Sequence, residues 1–137
     1  MKKVLVLCTG NSCRSQIAHG YLAHFAGDNV KVYSAGVETH GVNPKAISTM
    51  KRDGVDISNH TSNNVNEYDA ADFDYLITVC DSARERCPIF PSSATKFHSS
   101  FPDPAGFTGS ETEIENGFDE VRDIIKTYCK SFVSAYL

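Results

Sequence analysis

The chain has 137 residues, of which 41% are hydrophobic and 22% are charged, and its net charge is −4. This size and composition predict one globular domain spanning 1–137, and the acidic balance argues against a nucleic-acid partner. No apolar run reaches the roughly 18 residues of a membrane span. The basic and apolar start, MKKVLVLC, is interrupted by TGNSCRS before it could act as a signal peptide. We therefore expect a cytoplasmic protein without a membrane partner.

The apolar segments predict four strands. Residues 3–7 (KVLVL) form a short buried strand that ends at a glycine-containing loop, and residues 30–36 (VKVYSAG) form a second. Residues 74–80 (DYLITVC) predict a third strand that ends at a cysteine. Residues 95–100 (TKFHSS) predict a weaker fourth strand.

Three helices are predicted between and after these strands. The first follows the opening loop, has apolar residues at helical spacing and ends at Gly27. The second opens at Pro44, because proline is tolerated at the first helical position, and ends at Gly54. The third is the clearest, and its apolar face is formed by Phe118, Val121, Ile125, Tyr128 and Phe132.

The order of these elements predicts a single doubly wound α/β domain, a four-stranded parallel sheet with helices on both faces. In such sheets ligands bind beyond the carboxyl ends of the strands. Three polar loops begin at that edge: CTGNSCRS at 8–15, CDSARERC at 80–87 and FPDPAG at 101–106. We therefore expect Cys8, Cys80 and Asp103 to lie at one edge of the sheet.

The first loop has the features of an oxyanion site. It leads into a helix whose first N–H groups lack intrahelical partners and carry the positive end of the helix dipole. Gly10 lets the backbone curl close to a ligand, Asn11 can adopt left-handed geometry, and Arg14 presents a planar fork of donors. The predicted oxyanion-binding loop comprises Thr9, Gly10, Asn11, Ser12, Cys13 and Arg14.

Cys8, at the base of this loop, is the predicted nucleophile. Its electropositive surroundings are expected to lower its pKa and favour the thiolate, to which Ser15 can donate a hydrogen bond. The alternative is that Cys8 is only a small buried residue at the end of a strand, as cysteines often are. That alternative leaves Arg14 and the intervening glycine and asparagine unexplained, so we favour the nucleophile.

The five cysteines raise the question of a metal site or a structural disulfide. Their spacings, Cys8-x₄-Cys13 and Cys80-x₆-Cys87, and the scattered histidines do not fit zinc, and a disulfide framework would be unusual in the cytosol. We predict no metal and no cofactor. Cys13 is expected to have a structural or minor redox role, and Cys129 to pack within the last helix.

Several motifs carry a family resemblance. Cys-x₅-Arg-Ser after the first strand resembles the phosphate-binding loop of the low-molecular-weight protein tyrosine phosphatases, and YSAGVETHGVNP, GVDISNHTSNNV and FPDPAG fall in the order found in that superfamily. The resemblance covers nearly the whole chain and implies a flavodoxin-like fold. It also implies that Asp103 is the general acid that protonates the leaving oxygen. On loop position alone, Asp103 could equally be a turn residue before a proline.

The second cysteine pair resembles a feature of the arsenate reductases built on the phosphatase fold. The loop CTGNSCRSQ is similar to theirs, and Cys80 and Cys87 match their further redox cysteines. Ala105 stands where phosphatases usually carry an aromatic residue that helps hold phosphotyrosine. These differences favour a reductase over a phosphatase.

This second resemblance implies a relay of three thiols with arsenate as substrate. Cys8 attacks arsenate held by Arg14, Cys80 attacks the sulfur of the Cys8–arsenic adduct and arsenite leaves, and Cys87 then attacks Cys80. Thioredoxin or a glutaredoxin-type dithiol would reduce the Cys80–Cys87 disulfide, and the enzyme would be a monomer. If 80–87 were helical, its two cysteines would lie about 10 Å apart, so we expect the segment to unwind during the cycle.

Two other functions and one ion stay open. A phosphatase could use Cys8, Arg14 and Asp103, and an oxyanion-binding or redox-sensing module would bind without turnover. Some reductases of this type bind potassium through acidic side chains, but His19 and Asn63 occupy the comparable places here. The sequence therefore leaves the presence of a potassium site open.

Overall fold

The structure, a computed structural model, describes residues 1–81 and 92–137. Its strands are β1 (Lys2–Cys8), β2 (Val30–Gly36), β3 (Tyr75–Thr78) and β4 (Thr95–His98). Its α-helices are α1 (Arg14–Ala26), α2 (Pro44–Arg52) and α3 (Glu111–Tyr136). Short 3₁₀ turns lie at 27–29, 65–67, 70–72 and 104–106.

The four strands form one parallel sheet in the order β2-β1-β3-β4, as the doubly wound prediction requires. β1 lies inside the sheet, and Cys8, its last residue, pairs in register with Gly36. β3 ends at Thr78, two residues before the predicted end, although the Val79 N–H still donates to Leu7 O at 3.0 Å. The predicted fold is confirmed, with shorter third and fourth strands.

Alternation along β1 divides the core into two layers. Val4, Val6 and Cys8 pack with apolar residues of all three α-helices. Leu5 and Leu7 point to the opposite face, where residues in and beside the 3₁₀ turns at 65–67 and 70–72 cover them. Both faces of β1 are buried, and a strand buried on both faces has a continuous run of apolar residues. This explains the apolar sequence VLVL within residues 3–7.

Local signals fix the helix ends. α1 is followed by Gly27 at φ 71°, a conformation that favours glycine. α2 has Pro44 at its first turn and Asn43 as its N-cap, whose side chain accepts from the Lys45 N–H at 2.9 Å. In the described parts of the chain, no helix is both long enough and apolar enough to cross a membrane.

Candidate active site

A cavity of about 290 Å³ opens at the carboxyl end of β1. The loop between β1 and α1 lines it together with Cys8, and His40, Asp103 and Ala105 complete its wall. Cys8 is 3% exposed, and Arg14 begins α1 at the helix end that attracts anions. Strand order therefore places a thiol and a guanidinium at the switch point of the sheet, where ligands of such folds bind.

Asn11 holds the loop in shape, as the sequence predicts. It is fully buried and has φ 48°, the left-handed conformation that asparagine tolerates. Its Nδ2 donates to Ser15 Oγ at 3.0 Å, and its Oδ1 accepts from Gln16 Nε2 at 2.8 Å and from the Asn63 N–H at 3.1 Å. Because the Ser15 oxygen is an acceptor in this contact, its own proton is left for donation elsewhere.

Three carbonyl groups of the loop accept hydrogen bonds from a neighbouring segment of backbone. Thr9 O, Gly10 O and Ser12 O accept backbone N–H groups from the segment 38–43 at 3.0–3.1 Å. In a trans peptide a carbonyl group and the N–H of the next residue point in opposite directions. The N–H groups of Gly10, Asn11 and Cys13 therefore point away from the segment 38–43. The loop thus presents donors to an anion at the start of α1.

Two glycines permit the close packing around this loop. A Cβ on Gly36 would lie 2.6 Å from Thr9 O and 2.9 Å from Asn11 N, both backbone atoms that cannot move aside cheaply. A Cβ on Gly10 would lie 2.5 Å from His40 Nδ1. Gly10 was predicted to let the backbone approach a ligand; in the structure its open side is filled by the His40 ring.

Arg14 and Asp103 meet across the cavity. The Arg14 side chain is 4% exposed, its Nη1 donates to Phe101 O at 3.4 Å, and its Nη2 lies 3.6 Å from Asp103 Oδ2. Asp103 Oδ1 accepts from the Ala105 N–H at 3.0 Å and caps the turn at 104–106. Asp103 is therefore a turn residue and also a carboxylate directed at Arg14.

The cysteines differ in oxidation state and surroundings. Cys80 is fully buried and disulfide-bonded, whereas Cys8, Cys13 and Cys129 are free thiols. Burial and the Asp103 charge raise the pKa of Cys13 to about 12, so this thiol stays protonated at neutral pH. Burial alone raises the pKa of Cys129 to about 12, which agrees with a packing role. The remaining predicted redox residue, Cys87, lies outside the described residues.

Cys80 lies at the same sheet edge as Cys8 and Asp103, as predicted. Ser100 Oγ donates to Cys80 O at 3.3 Å, and the Phe101 N–H donates to Val79 O at 3.4 Å. The segment that leads to Asp103 therefore runs beside the end of β3, and Arg14 joins the same segment at Phe101 O.

Comparison with known proteins identifies the family. The sequence model for low molecular weight phosphotyrosine protein phosphatases matches residues 3–136. The chain belongs to this family. It is 50% identical to arsenate reductase 2 of Staphylococcus epidermidis over 131 residues, which are 96% of this chain and 95% of that protein.

Solved structures of this phosphatase family agree with that assignment. An arsenate reductase in its phosphate-binding state superposes with a TM-score of 0.81 at 30% identity and covers 98% of both chains. A thioredoxin-dependent arsenate reductase of Corynebacterium glutamicum superposes with a TM-score of 0.67 at 25% identity, covering 100% of this chain and 64% of that one. The chain is thus a family member that groups with the arsenate reductases.

Sequence reasoning missed one residue of the cavity wall in this family member. His40 comes from the loop after β2, and its Nε2 lies 2.7 Å from Glu38 Oε2. The signal was available, since β2 borders β1 and its following loop must begin at the same edge of the sheet. The motif YSAGVETHGVNP carries a family resemblance, and this resemblance does not single out His40 as a residue of the site.

His19, one of the two residues that the sequence analysis compares with a potassium site, pairs with His60, and both side chains are half-buried. His19 and His60 stack with ring centroids 4.2 Å apart, and burial with the neighbouring His60 lowers the pKa of His19 to about 3. His19 Nδ1 lies 2.9 Å from Ser34 Oγ, and His60 Nδ1 lies 3.0 Å from Gln16 Oε1.

These groups do not fit a potassium ion. The two imidazoles are neutral, and the Nδ1 atoms bond Ser34 Oγ and Gln16 Oε1 instead of facing a common cation. Thr61 O accepts from Gln16 Nε2 at 2.9 Å and from Asn63 Nδ2 at 3.2 Å. Among residues 1–81 and 92–137, no cluster of three His, Cys, Asp or Glu side chains could hold a metal.

Proposed function

We propose that this protein reduces arsenate to arsenite through Cys8, Cys80 and Cys87. The observation that carries the proposal is the cavity in which a free Cys8 thiol, the Arg14 guanidinium and the Asp103 carboxylate lie together, with a disulfide-bonded Cys80 at the same edge of the sheet. An oxyanion cradle with one thiol suits attack on a tetrahedral centre. A second reactive cysteine beside it suits electron transfer.

The first step is attack on bound arsenate. The loop N–H groups and Arg14 hold the anion, and the Cys8 thiolate forms a sulfur–arsenic bond while one arsenate oxygen leaves. Asp103, in its protonated form, gives its proton to that oxygen, which departs as water. Ser15, whose oxygen already accepts from Asn11, donates its hydroxyl proton to the thiolate before attack.

The second step transfers two electrons. Cys80 attacks the Cys8 sulfur, the sulfur–arsenic bond breaks, and its electron pair goes to arsenic, which leaves as arsenite. A Cys8–Cys80 disulfide forms as both sulfurs are oxidised. Cys8 and Cys80 belong to one buried cluster at this edge of the sheet, which supports their pairing. A disulfide requires Cα atoms within roughly 7 Å of each other.

The third step restores Cys8. Cys87 attacks Cys80, Cys8 is released as a thiol, and Cys80 remains oxidised until an external dithiol reduces it by exchange. The free Cys8 and the disulfide-bonded Cys80 support this order, because they match the state that the relay reaches after its last internal exchange.

The external dithiol is proposed to be thioredoxin, with a glutaredoxin-type protein as the alternative. The name of the Corynebacterium relative, a thioredoxin-dependent arsenate reductase, supports this choice. Regeneration by a dithiol needs a reducing compartment, so we propose a cytoplasmic protein. A relay contained within one chain needs no second copy, and we propose a monomer.

Replacement of Cys87 by serine tests the relay. Cys87→Ser is expected to release about one arsenite per protein molecule and then stop with a Cys8–Cys80 disulfide, because nothing within the chain can reopen that bond. Arsenite is quantified during turnover with excess external dithiol, and the disulfide is located by peptide mass spectrometry.

Cys129→Ser is the matched control, because it makes the same substitution at a cysteine that lies outside the cavity and is buried. Its new hydroxyl keeps a partner, since the Cys129 sulfur already lies 3.7 Å from Ala18 O. This control is expected to turn over repeatedly. Unimpaired multiple turnover by Cys87→Ser would refute the relay.

A phosphatase is the second candidate, favoured by Cys8, Arg14 and Asp103 at one cavity. Ala105 argues against it, because a methyl group lines the cavity where an aromatic side chain would hold phosphotyrosine. Hydrolysis of an aryl phosphate by the same Cys87→Ser protein would show whether this activity persists, since it needs neither Cys80 nor Cys87.

A further inference from the structure

One side of the Cys8 cavity is formed by the side chain of His40, which has no role in the proposed thiol relay. His40 lines the cavity with Cys8, Arg14 and Asp103. It reaches the cavity from the loop after β2, whereas Asp103 follows β4. In the sheet order β2-β1-β3-β4 these two loops approach the end of β1 from opposite sides. His40 and Asp103 therefore flank Cys8.

Neighbouring groups fix how the His40 ring faces the cavity. Its Nε2 lies 2.7 Å from Glu38 Oε2, so this nitrogen donates to the carboxylate. Its Nδ1 lies over Gly10, where a Cβ would come within 2.5 Å of it. The backbone N–H groups of Glu38 and His40 also donate to Thr9 O and Gly10 O. The His40 ring therefore packs against the oxyanion-binding loop, and its Nδ1 faces Gly10 of that loop.

The charges in the cavity favour a second hydrogen-bonding side chain beside the bound substrate. Bound arsenate is an anion, the Cys8 thiolate adds negative charge, and the part of the lining that the structure describes contains one arginine, Arg14, and no lysine. A second hydrogen-bonding group on the other side offsets part of this repulsion. An imidazole donates from Nδ1 to an arsenate oxyanion when protonated, and accepts from an arsenate hydroxyl when neutral.

We propose that His40, oriented by Glu38, contacts the substrate: its Nδ1 hydrogen-bonds an oxygen of bound arsenate on the side opposite Asp103. This inference rests on the proposed reductase function, because it assigns a further contact to the same substrate. The contact exists in the bound complex before Cys8 attacks. Its loss therefore raises the KM for arsenate more than it lowers kcat.

His40→Phe tests the contact, because phenylalanine keeps an aromatic ring over Gly10 and has no polar atom. The KM for arsenate is expected to rise about tenfold, the effect of losing one hydrogen bond to a charged group, with kcat changed by less than about threefold. His40→Gln, which regains a polar side chain, should recover part of the affinity. His24→Gln is the control, because His24 is an exposed histidine outside this cavity, and its KM should stay unchanged.

A binding measurement separates this inference from the reductase function. Inorganic phosphate has the shape and charge of arsenate, so it can be titrated while the His40 ring is followed by NMR. The ring resonances are expected to shift on saturation, and the Kd for phosphate should rise about tenfold in His40→Phe. Wild-type protein that binds phosphate at His40 but reduces no arsenate would sink the reductase function and leave the oxyanion contact standing.

The contact itself fails under a different result. Unchanged KM and unchanged phosphate affinity in folded His40→Phe would overturn it. If His40→Phe does not fold, the wild-type titration decides alone, and a His40 ring that does not respond to saturating phosphate overturns the inference.

Discussion

At the scale of single residues, several side chains of the site have two tasks. Asp103 caps a turn with Oδ1 and faces Arg14 with Oδ2, so the turn role and the general-acid role do not compete. Asn11 adopts a backbone conformation that few residues tolerate and at the same time directs the Ser15 hydroxyl. The sequence predicts the turn at Asp103 and the loop role of Asn11 well, because Ala105 and Ser15, their partners in these contacts, are close in the chain.

Other contacts of the molecule have partners that are distant in the chain. The His40 imidazole acts through a contact with Gly10, thirty positions earlier, and through a carboxylate two residues away. The stack of His19 on His60 joins α1 to a loop after α2. Neither contact leaves a periodic signal in the sequence, because tertiary packing alone creates it.

The half-buried pair His19 and His60 is expected to make stability depend on pH. His19 has a pKa of about 3 in the folded protein, against about 6.5 in an unfolded chain, because burial and His60 disfavour its charged form. Below about pH 6.5, His19 therefore binds a proton in the unfolded chain but stays neutral in the folded protein. The free energy of unfolding should fall as pH drops from 6.5 towards 3, by about 2 kcal/mol between pH 7 and pH 5.

Urea unfolding at pH 7 and at pH 5 measures this effect. His19→Gln should reduce the fall, because glutamine does not titrate and its amide can still reach Ser34, while the exposed His24→Gln serves as control. Burial also lowers the pKa of His60, so the His19→Gln protein should retain part of the pH dependence of the free energy of unfolding. An equal fall in wild type and His19→Gln would contradict the account.

At the scale of elements, prediction succeeded where local signals are complete. β2 matches the predicted 30–36, and α2 opens at Pro44 as predicted, because a β-branched run and an N-terminal proline are local features. β3 ends at Thr78 instead of residue 80, although VC continues the apolar run. A strand ends where its neighbours stop pairing with it, and this depends on the whole sheet.

The long helix α3 provides a prediction at this scale. Ser110 and Glu113 form a capping box, in which Ser110 Oγ accepts from the Glu113 N–H at 3.1 Å. Ser110→Ala should lower the free energy of unfolding by about 1 kcal/mol, because a helix N–H loses its partner. Urea denaturation measures the change. Ser131→Ala, the same substitution at an exposed position inside α3, should not destabilise, and equal losses in both variants would argue against the cap.

At the scale of the whole molecule, topology makes the site. Parallel strands in the order β2-β1-β3-β4 bring loops from four strand ends to one edge, so residues up to 97 positions apart, from Cys8 to Ala105, share a cavity. The sequence predicted this convergence, since it follows from the alternation of strands and helices. It did not predict which side of Cys8 each loop takes, because that requires the strand order.

The central claim is that three thiols of one chain reduce arsenate and return Cys8 to its free state. The direct measurement gives fully reduced protein excess arsenate without any external dithiol, then counts arsenite and maps alkylated cysteines. The account predicts about one arsenite per chain, with Cys8 alkylated and Cys80 and Cys87 protected as a disulfide. Absence of arsenite, or arsenite released while Cys80 and Cys87 both remain alkylated, would contradict it.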